Sequence, residues 1–560
     1  MIERKIKNDI SNYINRYPQY YNTMGIPYYF YSLTQKYNTI LSNAKPTGLD
    51  IYCIDFNGII HNVAQDVIRR YKDATKAAAT VSDKDRIESE IISGVWERIK
   101  YYVENYKAAK YLICADGVAP LAKMFQQRKR RYLNIYKNTL DNVAITWDTN
   151  AITPGTLFMD KLNETIRENS RSDKRIIYSG SDESGEGEHK IFHRLKETPV
   201  SDKIIIHGLD ADLIILSLMS HKENIYLMRE MKDPHTNNTV FNYLNIKELR
   251  KAILCELKMT WKLEAVEAVE AAEAVEAAEA AEAASVDLIE TYCTACSILG
   301  NDFIPHLLTI ELKNNGIDTL MSATKRAIQS NGLLVHNGAI NHNCLIDIFK
   351  DLANTEDEDI HRVCERYIKK KQPCSTCVIP SDYYGLKNKD PLIHAIYNSP
   401  NKWRQEYYRI IFDNNISIDS TVMFNACNNY IKGIYWVYSY YKGRAIDCEW
   451  YYPYNYPPTI KDILNHSIAN EAPVSHSDVP PDVPPYIQLL IVLPKYSVHL
   501  LAKKHQRYML DIYSGLFHMY PVKYEIQTFL KTQLWECSPI LPLININYIK
   551  QVLEKQVLEK

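Results

Sequence analysis

Seven carboxylates in this chain stand where a short apolar run ends or a small-residue loop begins. Asp55 closes DIYCID, Asp116 follows YLICA, Glu186 and Glu188 lie in GEGEH, Asp210 and Asp212 in LDADL, and Asp302 follows Gly300-Asn301. In an extended segment, residues two apart face the same way, so each of the two pairs can present both of its carboxylates to one point. Gathered without cations, such groups repel one another and take up protons. Hard divalent cations resolve this, and Mg²⁺ favours oxygen ligands with retained water. Two ions about 3.5–4 Å apart can activate a water and stabilise the leaving oxygen of a phosphodiester. A second pattern begins directly after Asp116. In ADGVAPLAKMFQQRKRRY, Gly117 and Pro120 mark a turn and a basic helical pattern follows. Lys123, Gln127, Arg130 and Arg131, at i, i+4, i+7 and i+8, share one helix face. Three cations and an amide beside an acid at a strand end suit a terminal phosphate held next to a metal. An Asp after a strand often caps the next helix. That covers one or two of the seven acids, but not all of them together with the basic face.

These side chains need elements to position them. From Asp50 onward, short β runs alternate with amphipathic helical segments: DIYCID (50–55), YLICA (111–115), RIIYS (175–179), KIIIHG (203–208) and NIYLM (224–228). The alternation predicts an α/β unit around a mostly parallel sheet flanked by helices. In such sheets, ligands bind beyond the carboxyl ends of the strands, where these acids fall. Residues 264–284, EAVEAVEAAEAVEAAEAAEAA, favour helix by composition. Their three-residue period drifts around a helix and gives no fixed apolar face, so an exposed helical spacer is expected. Helix is predicted to resume over Ile289–Leu299 and to stop at Gly300. The stretch 353–399 is charged and reads as an irregular linker. Residues 400–460 are aromatic and helical in pattern, and 470–485 read as an extended Pro-rich loop.

Composition narrows the classes. The chain has 560 residues with 66 Lys+Arg against 67 Asp+Glu, so any nucleic-acid contact must come from local patches rather than a global basic field. There is no signal-peptide pattern and no apolar run long enough to span a bilayer. A cytoplasmic setting is expected, with the nucleus as the alternative. The twelve cysteines are scattered and fit reduced thiols better than a disulfide framework. One cluster, His361, Cys364, Cys374 and Cys377, has loose zinc-ligand spacing, and unliganded thiols in a loop explain it more cheaply.

Taken in order, several segments resemble the XRN family of 5′→3′ exoribonucleases: MGIPYYF (24–30), IDFNGIIHN (54–62), ADGVAPLAKMFQQRKRRY (115–132), SGEGEHK (184–190), GLDADLIIL (208–216), LGNDFIPHL (299–307), EWYYPYNYPP (449–458) and QLLIVLP (488–494). The resemblance implies an α/β nuclease core related to flap endonucleases over 24–352 and a second, mainly helical region over 400–555 that completes the active-site pocket. Outside these lie an extension at 1–23 and a small terminal duplication at 556–560. It implies that Asp55, Asp116, Glu186, Glu188, Asp210, Asp212 and Asp302 hold two Mg²⁺ ions, with Mn²⁺ able to substitute. Lys123, Gln127, Arg130 and Arg131 would then form the 5′-monophosphate pocket, and His61 and Trp450 would stack on the first base. Cys448 stands where members often have another tryptophan. The expected activity is processive hydrolysis of 5′-monophosphorylated single-stranded RNA to nucleoside 5′-monophosphates, by a chain active as a monomer. A flap-endonuclease-like DNA nuclease and a non-catalytic RNA-binding scaffold are the alternatives. The minimal core, the Glu/Ala insertion and the tyrosine-rich composition suit a member from a large DNA virus or a divergent protist.

Overall fold

The computed structural model describes residues 28–558 apart from 38, 75–80, 209, 233–238, 259–273, 372–378, 413–420, 472 and 474–482. The extension at 1–23, the first half of the Glu/Ala stretch, Cys374 and Cys377, and most of the Pro-rich loop lie outside the described residues.

Seven strands form the central sheet: β1 (Leu41–Ser42), β2 (Leu49–Asp55), β3 (Ala108–Cys114), β4 (Ile176–Ser179), β5 (Lys203–His207), β6 (Asn224–Lys232) and β7 (Thr239–Asn245). Their order is β1-β7-β6-β5-β2-β3-β4. The five strands from β4 to β6 pair parallel, while β7 and β1 add an antiparallel edge. All five β runs expected from sequence are strands of this sheet. The antiparallel edge was not foreseen, because β1 is two residues long and β7 is interrupted by polar residues at every third position.

The chain runs from β2 outward to β3 and β4, then returns to lay β5 on the other side of β2. That reversal opens a crevice at the carboxyl ends of β2 and β5, the place where open α/β sheets bind ligands.

Helices cover both faces. On one face α1 (Tyr29–Lys36) lies over the sheet. On the other lie α2 (Phe56–Ala74) and α3 (Val81–Asn105). The strands are apolar on both faces, as buried parallel strands must be. Ile51, Cys53, Leu112, Cys114, Ile204 and Ile206 enter the first layer, while Tyr52, Ile54, Tyr111, Ile113 and Ile205 enter the second. After β3 comes α4 (Leu121–Leu140), followed by α5 (Leu157–Ser170), α6 (Gly187–Leu195), α7 (Asp212–Met219) and α8 (Ile246–Lys258). The second half of the Glu/Ala stretch forms the start of α9 (Ala274–Cys296), with Glu282 and Ala283 exposed, as expected of a spacer. A 3₁₀ turn, Ser297–Leu299, then ends at Gly300, whose φ of 86° suits glycine.

Next come α10 (Gly316–Asn331), α11 (His342–Ala353), α12 (Glu356–Lys369), α13 (Tyr384–Lys387), α14 (Pro391–Asn398) and α15 (Trp403–Ile411). The stretch 353–399 is therefore not an irregular linker. Ile360, Val363, Cys364 and Tyr367 of α12 make one apolar stripe, buried with Leu392, Ile393 and Ile396 of α14. The four acids Glu356–Asp359 that looked like a charge run occupy the first turn of α12, where a helix dipole favours them. One of them, Glu356, is buried and accepts the backbone N–H groups of Ile460 (2.5 Å) and Lys461 (3.0 Å). It thus closes the open N-terminus of a later helix, and burial pushes its carboxyl up to about 7.

The last part holds α16 (Thr421–Tyr441), α17 (Ile460–Ala469), α18 (Pro485–Val492), α19 (Lys503–Leu510) and α20 (Ile546–Leu558). The two regions share their interior. Tyr430, Ile434, Trp436 and Val437 of α16 belong to the same buried cluster as Ile51, Cys53 and Ile206 of the sheet. A charge network reinforces the seam. Buried Glu290 of α9 accepts from Tyr438 (2.7 Å) and from Lys442, and meets His221 Nε2 at 3.0 Å. Burial works against its charge, but His221, Lys442 and Tyr438 outweigh it and hold Glu290 at about 2. A carboxyl depressed in the folded state stabilises fully above its unfolded value, near 4.3, and loses that contribution as pH falls toward 2. Denaturant titrations between pH 6 and 2.5 should therefore show a shallower acid limb for Glu290→Gln than for the parent. Identical limbs would remove Glu290 from the acid response.

Candidate active site

The carboxyl ends of the strands bring the seven acids together. Asp55 is the last residue of β2, and Asp116 lies two residues beyond β3. Glu186 precedes α6 and Glu188 sits in its first turn, where the helix N-terminus favours acids. Asp210 lies between β5 and α7, Asp212 opens α7, and Asp302 follows the 3₁₀ turn after α9. The loop carrying Glu186 is laid tightly against the end of β3. Gly117 N–H donates to Gly185 O and Gly185 N–H to Val118 O, both at 2.8 Å. Asp116 is clasped from two sides: Gly187 N–H donates to its Oδ1 and Asn57 Nδ2 to its Oδ2, each at 2.8 Å.

The group is short of positive charge. Burial, then Asp116 and Asp210, push Asp55 well above the usual carboxylate range. Burial also raises Glu188, with Asp212 and Glu186 adding to it, and raises Asp212, with Asp302 and Asp210 adding to it. Asp210 is pushed up to about 6, mainly by burial. Two carboxylate oxygens, Glu188 Oε2 and Asp212 Oδ1, are buried without a hydrogen-bond partner. The cation amid them is Lys123 of α4, only 4 % exposed, at 2.5 Å from Glu186 and 2.9 Å from Asp302. Burial alone would strip its proton; the carboxylates outweigh burial and hold it well above the ordinary lysine range. No three carboxylate, imidazole or thiol groups among the described residues converge on one point at ligand distance. The donor set itself fits hard divalent cations: crowded, desolvated carboxylate oxygens, two of them orphaned.

The basic helix face divides. Lys123, Gln127 and Arg131 are buried, whereas Arg130 is exposed. Lys123 turns to the acids. Arg131 donates from Nη2 to Thr153 Oγ1 at 2.8 Å, while its Nη1 is buried without a partner. Burial, with Arg130 adding to it, lowers Arg131 to about 9. Burial also lowers His61 of α2 to about 3, with Arg130 and Arg131 adding to it, so the imidazole is neutral. A buried guanidinium with an open N–H, beside a second one and a neutral ring, is a place that an anion would relieve.

Trp450 lies in the shared interior. It is 5 % exposed and packs on Trp436, ring centroids 5.1 Å apart, with the Gly433 backbone close against it. Its burial matches that of Lys123 and Arg131, and its stacking on a first base with His61 stands as a proposal. Sequence reasoning also missed partners. Asn57 lies inside IDFNGIIHN, where a polar side chain in the first turn of a helix, two residues after Asp55, was a usable signal. Tyr440 and Tyr441 end α16 beside acids that lie far away in sequence, and nothing local announced them.

Two family models match this sequence. One, described as the XRN 5′-3′ exonuclease N-terminus, covers residues 24–231. The other, the Xrn1 helical domain, covers 286–376 and 396–557. The chain belongs to the XRN family. Among relatives, it is 25 % identical to human 5′-3′ exoribonuclease 1 over 95 % of this chain and 34 % of that protein. It is 24 % identical to 5′-3′ exoribonuclease 2 of Debaryomyces hansenii, over 95 % of this chain and 70 % of that one. With 5′-3′ exoribonuclease 1 of Saccharomyces cerevisiae the identity is 23 %, over 93 % and 42 %. The chain thus spans about a third of the length of the human relative. In this XRN chain the helical-domain match opens at residue 286, inside α9, and so takes in α10 and α11, which the sequence reading had placed in the first unit. The Glu/Ala stretch falls between the two matches. No helix among the described residues is long and apolar enough to cross a membrane.

Proposed function

We propose that this chain is a 5′→3′ exoribonuclease that acts on single-stranded RNA beginning with a 5′-monophosphate and releases nucleoside 5′-monophosphates. The observation that carries the reading is the gathering of acids at the sheet crevice around Lys123, on the helix that also bears the buried, half-satisfied Arg131. When bound to those acids, two Mg²⁺ ions would supply an activated water and neutralise the leaving oxygen.

The chain's own residues do the rest. Asp55, Asp116, Glu186, Glu188, Asp210, Asp212 and Asp302 hold the cations, and Asn57 and the Gly187 N–H keep Asp116 turned toward them. Arg131, Arg130 and Gln127 receive the terminal phosphate, since guanidinium groups grip its oxygens through paired N–H donors. Lys123 lies between the two sets and balances whichever is in excess of negative charge. His61 offers the first base a neutral ring face. Stacking of that kind contributes about 1–3 kcal/mol per base and tolerates any sequence, as an enzyme that advances along arbitrary RNA requires.

The test compares otherwise identical RNAs bearing a 5′-monophosphate, a triphosphate or a cap, each in Mg²⁺ and in chelator, with a DNA of the same sequence alongside. The monophosphorylated RNA alone should be digested, and only with metal present. Equal digestion of all three RNA ends would refute the phosphate pocket, and digestion of DNA alone would move the chain to the flap-endonuclease class. In the same assay Arg130→Ala should cut the preference for the monophosphate by roughly 10–100-fold, the loss of a charged hydrogen bond. An undiminished preference would take Arg130 out of the pocket.

A further inference from the structure

Tyr440 stands at the end of α16, in the region after residue 400 that carries none of the seven acids, yet its hydroxyl donates to Glu186 Oε1. Its ring is held on three sides. Trp436 stacks on it, centroids 4.8 Å apart and planes 22° apart. His189, next to Glu188, lies 3.8 Å away. Phe303, next to Asp302, meets it edge-on at 5.1 Å. Trp436 is in turn pinned by its indole N–H, which donates to Asp447 O at 2.8 Å. One phenol therefore binds Glu186 directly and abuts the neighbours of two further acids, with little rotational freedom. The other oxygen of Glu186, Oε2, faces the interior of the cluster at Lys123.

We infer that Tyr440 is a positioning residue of the acid cluster: its hydroxyl fixes Glu186 from the second region, so that docking of that region completes the cation site. This rests on the two-ion reading proposed above. A hydrogen bond to the far oxygen of a ligating carboxylate sets the orientation of the near one, and removing such a bond costs roughly 10–100-fold in metal affinity or activity. Trp436 and Trp450 then have a purpose as a buttress behind Tyr440.

The experiment is a calorimetric Mn²⁺ titration of the RNA-free full chain, with turnover measured on monophosphorylated RNA. Tyr440→Phe keeps the ring and removes the donor. It should weaken Mn²⁺ binding roughly 10–100-fold, lower kcat at fixed metal without a matching rise in KM for RNA, and regain turnover as Mn²⁺ is raised. Tyr438→Phe, which removes a hydroxyl from the same helix but one bonded to Glu290, should leave Mn²⁺ affinity unchanged. The inference is overturned if Tyr440→Phe binds Mn²⁺ as the parent does while Glu186→Gln binds it weakly. It is also overturned if Tyr438→Phe weakens binding as much as Tyr440→Phe. If Glu186→Gln itself changes nothing, the two-ion reading falls first and the role of Tyr440 falls with it.

Discussion

Asp210→Ala is expected to abolish RNA cleavage while leaving the fold intact and RNA affinity largely unchanged. Asp210 faces Asp302 and Lys123 in a desolvated cluster, and burial and that acid hold its carboxyl up at about 6. In the proposed mechanism it is one of the groups that hold the cations, so its loss should lower kcat by at least about 10²–10³-fold, the scale on which preorganised electrostatic groups act. The same substitution removes one of several mutually repelling charges. The melting temperature in chelator should therefore stay level or rise, which is the opposite of what a structural core residue would show. The Arg131–His61 side of the crevice is untouched, so RNA should still bind. Single-turnover cleavage of monophosphorylated RNA, filter binding and thermal denaturation decide it together. Turnover within tenfold of the parent would refute a metal role for Asp210.

Gly117→Ala should be nearly as damaging, although glycine has no side chain to offer. A Cβ at residue 117 would lie 1.7 Å from Glu183 O, a backbone atom that cannot step aside alone. Relief requires the whole loop 183–187 to back away from the end of β3. That movement breaks the paired bonds between Gly117, Val118 and Gly185, and withdraws the Gly187 N–H from Asp116. Overpacking of this kind costs typically about 1–3 kcal/mol. Here it should also uncouple Glu186 and Glu188 from the other acids. The expected result is a lower melting temperature together with loss of turnover that added metal does not restore, in contrast to Tyr440→Phe. A folded, fully active Gly117→Ala would show that the loop's approach to β3 is unnecessary. Gly187 obeys the same constraint, since its Cβ would meet Cys114 O at 2.6 Å and Asp55 Oδ1 at 3.1 Å.

These two substitutions also mark what could be read from the chain before its structure. The acids were visible because each ends an apolar run or stands in a small-residue loop, and a parallel sheet then gathers the run ends by topology alone. The five main strands were visible for the same reason, being continuous apolar runs. The glycines' role was not, because it depends on which loop lies over which strand. The helix face Lys123, Gln127, Arg130 and Arg131 was read correctly as one face. Its partition was hidden, since the acids that claim Lys123 come from the loop after β4 and from beyond α9. The segment 353–399 was misread because four adjacent acids hid an amphipathic stripe. Tyr440 could not have been found by local pattern, lying 254 residues from the carboxylate it binds.

That separation has a consequence for how the protein is made. The helix bearing Arg131 is tied through the buried Arg128 to the backbone carbonyls of Met519 and Pro542. Glu186 waits for Tyr440, and the sheet's own interior waits for α16. During synthesis, a nascent chain that has emitted every one of its seven acids still lacks the residues that close their surroundings. Contacts this distant in sequence form late and slowly. A ribosome that stalls before residue 421 therefore releases a fragment with all seven acids but without α16 and the Tyr440 that binds Glu186. For a protein proposed to destroy RNA, the acids are made first and the contacts that fix them are made last.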